Sequence, residues 1–162
     1  MTLERRARID RAEFESTGPY AVAALSALGK AVNDSGFDRS ITELIKVRAS
    51  QLNGCAFCLQ FHLNNSRKLL IAPANIDLVA TWREVGAFSA GARAALVWTE
   101  ALTLMSLQPA TDAVYAGLRT QFSEIASLAT SVSAINAWNR TAGALRFAPP
   151  IPANRLAERA LA

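Results

Sequence analysis

Residues 43–62 constrain the fold more than any other stretch of the chain. They contain both cysteines and the only histidine among the 162 residues. The dipeptide Asn53-Gly54 lies in the middle, and such dipeptides are typical of turns. Apolar residues recur at helical spacing before the turn, and Cys55, Cys58 and His62 fall on one helical face after it. The stretch therefore predicts a helical hairpin whose second helix begins at the cysteines.

Helix geometry predicts which side chains meet across this hairpin. With a rise of about 1.5 Å per residue, Glu43 lies roughly 15 Å before the turn and His62 roughly 12 Å after it. In an antiparallel pair the two residues are at nearly the same height. Cys58 is one turn below His62, and Cys55 is at the helix start. The spacing thus allows Glu43 to orient His62, and His62 to face Cys58.

A thiol pair in this position has redox chemistry available to it. A helix N-terminus and a nearby imidazole both favour thiolate over thiol. A cysteine three residues from an oxidised one can also capture it as a disulfide. Two other interpretations are open: Cys55 and Cys58 form a buried, inert pair, or they join His62 and Glu43 as zinc ligands. Structural zinc sites seldom use a carboxylate, so the sequence favours no metal.

The spacing of these residues carries a resemblance to a known family. Cys-x-x-Cys begins twelve residues after Glu43, and His62 follows the second cysteine by four. This spacing and the segments 43–58 (ELIKVRASQLNGCAFC) and 136–140 (NAWNR) resemble the alkylhydroperoxidase D-like proteins of the carboxymuconolactone decarboxylase superfamily, in particular the peroxidase-related branch. The resemblance extends roughly from residue 20 to residue 149.

The resemblance implies a fold and a reaction. The fold is all-α, a compact helical bundle built round the hairpin. In the reaction Cys58 attacks an organic hydroperoxide and becomes a sulfenic acid, and Cys55 condenses with it to form a disulfide. His62 moves the proton and Glu43 holds the imidazole. Some members place a second histidine immediately before the second cysteine, where this chain has Phe57.

The same resemblance implies the partners of the protein. No cofactor is needed, and an outside dithiol, of lipoyl or thioredoxin type, reduces the disulfide. The assembly is a homo-oligomer, commonly built from trimers. Redox Cys-x-x-Cys helices in general use the first cysteine as the nucleophile, which would give Cys55 that role. The position of His62 one turn above Cys58 favours Cys58 instead.

Two alternative functions remain at this stage. One is a non-enzymatic helical assembly or redox-sensing protein, and the other is a lactone decarboxylase-like enzyme. Decarboxylases of the superfamily generally lack the Cys-x-x-Cys pair, so its presence argues against the second. Glu43 also has a simpler interpretation as an exposed carboxylate that pairs with Lys46 or Arg48. The catalytic interpretation predicts instead that it is buried beside His62.

Two asparagines inside the last predicted helix need an explanation, because asparagine is a poor mid-helix residue. One explanation is structural: the side-chain amides of Asn136 and Asn139 bond backbone groups of the hairpin, or the neighbouring Arg140 pairs with a carboxylate. The other is that the asparagines form part of a substrate pocket. We assign both asparagines, with Phe57, to the wall of such a pocket as a weaker prediction.

Composition and charge narrow the class of protein. Lys+Arg 17 against Asp+Glu 13 gives a net charge of +4, and the basic residues are scattered, which predicts a solvated surface without a nucleic-acid patch. No apolar run approaches the roughly 20 residues of a membrane span. The N-terminus has no signal-peptide core, and two cysteines suggest a redox pair in the cytoplasm. We expect residues 1–162 to form a single domain with a core at about 20–149.

Apolar periodicity, capping residues and breakers predict the helices along the chain. An arm or short helix precedes residue 19, and a helical tail reaches toward Ala162. Between them we expect helices from Pro19 to about Asn33, Asp38 to Lys68 with the turn inside, Asn75 to Trp82, Ser89 to about Met105, Thr111 to Phe122, and about Ser123 to Leu145.

Overall fold

The protein is all-helical in the part that its computed structural model describes, residues 7–153. Within these residues the chain forms eight α-helices and one 3₁₀ segment, with no strand, which confirms the all-α prediction. The helices are α1 (Arg11–Thr17), α2 (Pro19–Asp34), α3 (Arg39–Leu52), α4 (Ala56–Lys68), α5 (Pro73–Asp77), α6 (Ala90–Thr103), α7 (Asp112–Arg119) and α8 (Ile125–Leu145), with the 3₁₀ segment Val79–Glu84 between α5 and α6.

Short polar side chains start several of these helices. Asp38, Ser89 and Thr111 each accept a backbone N–H from the first turn of α3, α6 and α7, as predicted. Pro19 is the first residue of α2, where its missing N–H costs nothing. Helix starts were therefore predictable, because a cap and its partner are only two or three residues apart.

The prediction was less accurate around Pro73. A single helix was expected from Asn75 to Trp82, but the chain forms α5, breaks at Leu78 and continues as the 3₁₀ segment. Pro73 begins α5, because its fixed φ suits the first helical position. Helix α8 begins two residues later than expected, and the predicted helical tail lies outside the described residues.

Helix α3 lies at the centre of the molecule. It packs against α4, α6 and α8, and Ile45, Val47 and Ala49 are all essentially inaccessible to solvent. A carboxylate on such a helix is held in the interior by its neighbours, which is how Glu43 comes to be buried. None of the helices in residues 7–153 combines the length and apolar character that crossing a bilayer requires.

Candidate functional site

The turn between α3 and α4 brings the thiol pair to the start of a helix. Gly54 has a φ of +64°, in the left-handed region where a side chain is strained. Cys55 follows as the N-cap of α4, and its sulfur accepts the backbone N–H of Cys58 at 3.4 Å. A sulfur that replaces the usual oxygen cap feels the partial positive charge of the helix end, which favours its thiolate form.

Glu43 and His62 are joined across the hairpin. Glu43 Oε2 lies 2.8 Å from His62 Nδ1, and Glu43 Oε1 accepts from Lys46 Nζ at 2.8 Å. Glu43 is only 6% exposed. Burial opposes its ionisation, but the hydrogen bond and charge of His62, together with Lys46, lower its pKa overall. The Lys46 pairing of the simpler interpretation is therefore present, whereas the exposure that it predicted is not.

The ionised carboxylate fixes the proton on the histidine ring. A carboxylate can only accept, so the Nδ1–H of His62 donates to Glu43. In a neutral imidazole this leaves Nε2 as an unprotonated base. Glu43 therefore holds the ring of His62 in one orientation and one tautomer.

The ionisation of each cysteine depends on the other. Both are buried, at 4% and 3% exposure, and both are free thiols. A hydrogen bond from the Cys58 thiol, helped by the Cys58 amide, lowers the pKa of Cys55 to about 7. The same hydrogen bond, together with burial and the charge on Cys55, raises the pKa of Cys58. The first proton to leave the pair is therefore that of Cys55, and Cys58 holds its proton more tightly.

A cavity of about 420 Å³ lies against this site. Its wall includes Cys58 and His62 but not Cys55. Phe57, Ile135 and Trp138 supply much of its apolar surface. A pocket of this size suits a small organic molecule, with Cys58 as the sulfur that such a molecule would meet first.

Of the three predicted pocket residues, the structure places only Phe57 on the cavity wall. Asn136 and Asn139 do not line this cavity, and their place in a substrate pocket stays a prediction. Both side-chain oxygens accept from Asn53 Nδ2 at 2.9 Å, which ties α8 to the turn. Side-chain hydrogen bonds thus connect both asparagines to the hairpin, and within residues 7–153 Arg140 bonds to Asn136 and not to a carboxylate.

Sequence reasoning missed the opposite wall of the cavity. Helix α2 contributes Lys30 and Asp34 among other residues, and α1 contributes Arg11. The Arg11 guanidinium lies 5.7 Å from the ring centres of both Phe57 and Phe61. No local signal marks these residues, because they reach the site only through the packing of the first two helices.

The potential metal ligands do not converge. Within residues 7–153, no three histidine, cysteine, aspartate or glutamate side chains come together as a metal site would need. Glu43 and His62 are hydrogen bonded to each other, and the Cys55 sulfur accepts the Cys58 amide, so these side chains already have partners.

This geometry occurs in a chain with known relatives. Residues 19–101 match the model of the Carboxymuconolactone decarboxylase family. The uncharacterised protein YdfG of Bacillus subtilis (strain 168) is 31% identical over 132 residues, which are 80% of this chain and 90% of that protein.

Solved structures extend the similarity to the fold. One is a protein of unknown function from Agrobacterium tumefaciens, whose name suggests the antioxidant defence protein AhpD. It is 35% identical to this chain, with a TM-score of 0.85, and the match covers 91% of this chain and all of that one. An uncharacterised peroxidase-related protein with an AhpD core, from Ralstonia eutropha JMP134, is 22% identical with a TM-score of 0.71 over 83% of this chain and 73% of that one. The chain therefore belongs to the carboxymuconolactone decarboxylase family, as an alkylhydroperoxidase D-like member.

Proposed function

We propose that the protein is a thiol-dependent peroxidase that reduces organic hydroperoxides through a Cys55–Cys58 disulfide. The observation that supports this most strongly is the site as a whole: a buried thiol pair in which the pKa of Cys55 is lowered to about 7, with Cys58 on the same cavity wall as His62. Thiolates are the reactive form toward peroxides, and a low pKa keeps them available. The similarity to proteins named for AhpD and peroxidase functions points the same way.

The nucleophile in this proposal is Cys58, because it borders the cavity and Cys55 does not. The resting negative charge is on Cys55, so the Cys58 proton first passes to Cys55 along the hydrogen bond between them. The Cys58 thiolate then attacks the outer peroxide oxygen, the O–O bond breaks, and an alkoxide leaves. The products are a Cys58 sulfenic acid and, after protonation, an alcohol.

His62 is the proton carrier for these steps in this proposal. Its Nε2 accepts a proton from the thiol pair, and the resulting imidazolium, stabilised by Glu43, gives it to the alkoxide. The Cys55 sulfur, as thiolate, next attacks the sulfenic sulfur. A disulfide forms and the hydroxyl leaves as hydroxide, which takes a proton from solvent to become water.

An outside dithiol closes the cycle by thiol–disulfide exchange, which returns both cysteines to thiols and leaves the donor oxidised. A lipoyl or thioredoxin-like donor fits this role. The trimer-based homo-oligomer that the family implies stays a prediction, as does the reductant.

A single-turnover thiol count tests the proposal. The reduced protein receives one equivalent of an organic hydroperoxide, and free thiols are titrated over time. The parent should lose both thiols rapidly. His62→Ala should react about 100-fold more slowly, the range of general acid–base effects. Glu43→Gln should also slow the reaction, by about ten-fold. Glu100→Gln changes a buried carboxylate that does not line the cavity, so it is the matched control and should keep the parent rate.

The single-cysteine variants identify the nucleophile. Cys55→Ser should still react and accumulate a trappable sulfenic acid, whereas Cys58→Ser should keep its thiol. Two thiols that react no faster than free cysteine would contradict the peroxidase and favour the assembly or redox-sensing alternative. The reverse pattern in the serine variants would give the nucleophile's role to Cys55.

A further inference from the structure

Asn139 is a polar side chain in an interior where every hydrogen-bonding group needs a partner. It is only 3% exposed, in the middle of α8. Its oxygen accepts from Asn53 Nδ2 at 2.9 Å, and its nitrogen donates to Ser50 Oγ at 3.1 Å. An amide nitrogen carries two hydrogens, so one donor remains to be satisfied. Leaving it unsatisfied at this depth would be costly.

The thiol pair lies on the side of α8 that carries Asn139. Ile135 and Ala142 lie four residues before and three after Asn139, on the same face of α8. Both pack into the apolar cluster that contains Cys55 and Cys58. The face of α8 that carries Asn139 is therefore the face that contacts the cysteines, and sulfur is the available acceptor there.

The ionisation of the pair reflects this contact. The hydrogen bond from Cys58 is the main cause of the lowered pKa of Cys55, and a hydrogen bond with the Asn139 amide acts in the same direction. The pKa of Cys58 is raised chiefly by Cys55, and Asn139 opposes that rise. A donor that lowers both pKa values stabilises negative charge on either sulfur, which suits a pair that exchanges one proton.

We propose that Asn139 is a positioning residue for the thiol pair: its amide nitrogen holds the sulfurs while its oxygen ties α8 to the turn that presents Cys55. This goes beyond the proposed peroxidase, because it concerns the thiol pair itself and applies to whichever oxidant the pair meets. A hydrogen bond from an asparagine side chain to a sulfur requires that the asparagine be buried against the cysteines.

The chain supplies a matched control in Asn136. It lies one turn earlier on α8 and accepts the same Asn53 hydrogen bond at 2.9 Å. Its nitrogen donates elsewhere, to Thr103 Oγ1 at 3.1 Å and to the Val132 carbonyl at 2.9 Å. Asn136→Ala thus removes one bond between α8 and the turn without removing a donor to sulfur.

The charged and titratable groups around the pair are the same in both variants. They are His62 on α4, Glu43 and Lys46 on α3, Lys30 and Asp34 on α2, and Arg11 on α1. Helix α8 contributes Ala134, Ile135 and Trp138 to the cavity wall and, in the described part of the chain, no charged side chain there. A change in thiol ionisation confined to the Asn139 variants therefore traces to the amide.

The experiment measures thiol ionisation in the reduced protein, without peroxide. The thiolate is followed by its ultraviolet absorbance and by the rate of alkylation with iodoacetamide across a pH series. Asn139→Ala should raise the pKa of Cys55 from about 7 by about one pH unit, the scale of a hydrogen bond to a charged group. Alkylation at mildly acid pH should then slow about ten-fold, while Asn136→Ala keeps the parent profile.

Asn139→Asp provides a second, isosteric variant. It keeps an acceptor for Asn53 but removes the donor and adds a negative charge, so the pKa of the thiol pair should rise further than in Asn139→Ala. Thermal unfolding shows which variants are folded, and the aspartate variant decides the question if the alanine variant is not. A parental thiol profile in a folded Asn139 variant overturns the proposal, and so does an equal shift in Asn136→Ala. Since no peroxide is used, neither result bears on the peroxidase itself.

Discussion

Two buried glutamates in this protein have nearly the same exposure and different chemistry around them. Glu43 is 6% exposed and Glu100 is 5% exposed. Glu100 accepts from Arg48 Nε at 2.8 Å and Trp82 Nε1 at 2.9 Å, and pairs with Arg83 Nη2 at 2.6 Å. Guanidinium and indole N–H groups act only as hydrogen-bond donors.

Glu43 differs because one of its partners is the imidazole of His62, a ring whose nitrogens can either donate or accept a proton. Burial raises the pKa of both carboxyls, but their partners lower both pKa values overall. The partner is mainly His62 for Glu43, whereas Arg83, Trp82 and Arg48 act on Glu100. The comparison teaches that a buried carboxylate with a depressed pKa does not by itself mark a catalytic site. The identity of its partner and the presence of a cavity distinguish the two positions.

The largest expected difference concerns stability. Glu100→Gln should lower the free energy of unfolding by about 3 kcal/mol, because Arg48 and the buried end of the network lose their counter-charge. Urea unfolding measures this change. The single-turnover thiol reaction should stay within about two-fold of the parent rate. A slow thiol reaction in a folded Glu100→Gln protein would show that the two carboxylates are not functionally separate.

The second effect concerns the rate. Glu43→Gln should slow the single-turnover reaction about ten-fold, because a neutral amide still orients the His62 ring but no longer stabilises its protonated form. The loss should appear in the chemical step measured by stopped-flow with excess hydroperoxide. An unchanged rate would leave Glu43 with a structural role like that of Glu100.

The third effect concerns acid. Because both folded-state pKa values lie below the ordinary 4.5, each carboxylate contributes stability that is fully present above 4.5 and lost as the pH falls through the folded value. The slope is at most about 1.4 kcal/mol per pH unit for each proton. Urea unfolding measured between about pH 6 and about pH 3 should show that the free energy of unfolding falls less steeply with acid in either glutamine variant. A decline as steep as the parent's in both variants would assign acid sensitivity to other groups.

The smallest effect concerns Arg83. Its side chain is 55% exposed, so solvent screens its pair with Glu100, and Arg83→Ala should cost only about 0.5 kcal/mol in urea unfolding. Arg48→Met removes the better-buried partner and should cost more. The reverse order would mean that the stacking of Arg83 on Trp82, at 4.2 Å, contributes more than the ion pair.

The sequence predicted well those features that depend on residues close together in the chain. The caps Asp38, Ser89 and Thr111 act on amides two or three positions away, and helical rise alone predicted that Glu43 and His62 lie at similar heights. The observed 2.8 Å contact agrees with that geometry, although the catalytic roles stay predictions.

The remaining features depend on contacts between distant segments. Asn53 meets Asn136 and Asn139 across more than 80 residues, and Arg48 meets Glu100 across 52. No local pattern specifies such pairs. Asn136 and Asn139 were nevertheless informative, because two poor helix formers in one helix correctly indicated a polar partner outside it.

The cap formed by Cys55 has a consequence for the redox balance of the pair. A thiolate is a good acceptor for the Cys58 amide, whereas a disulfide sulfur is a weak one, so the first turn of α4 is better held in the reduced protein. By thermodynamic linkage, any interaction that stabilises only the reduced form makes the corresponding disulfide a stronger oxidant. The N-terminus of α4 thus favours the dithiol over the disulfide, and a disulfide formed here would readily accept electrons from an outside donor.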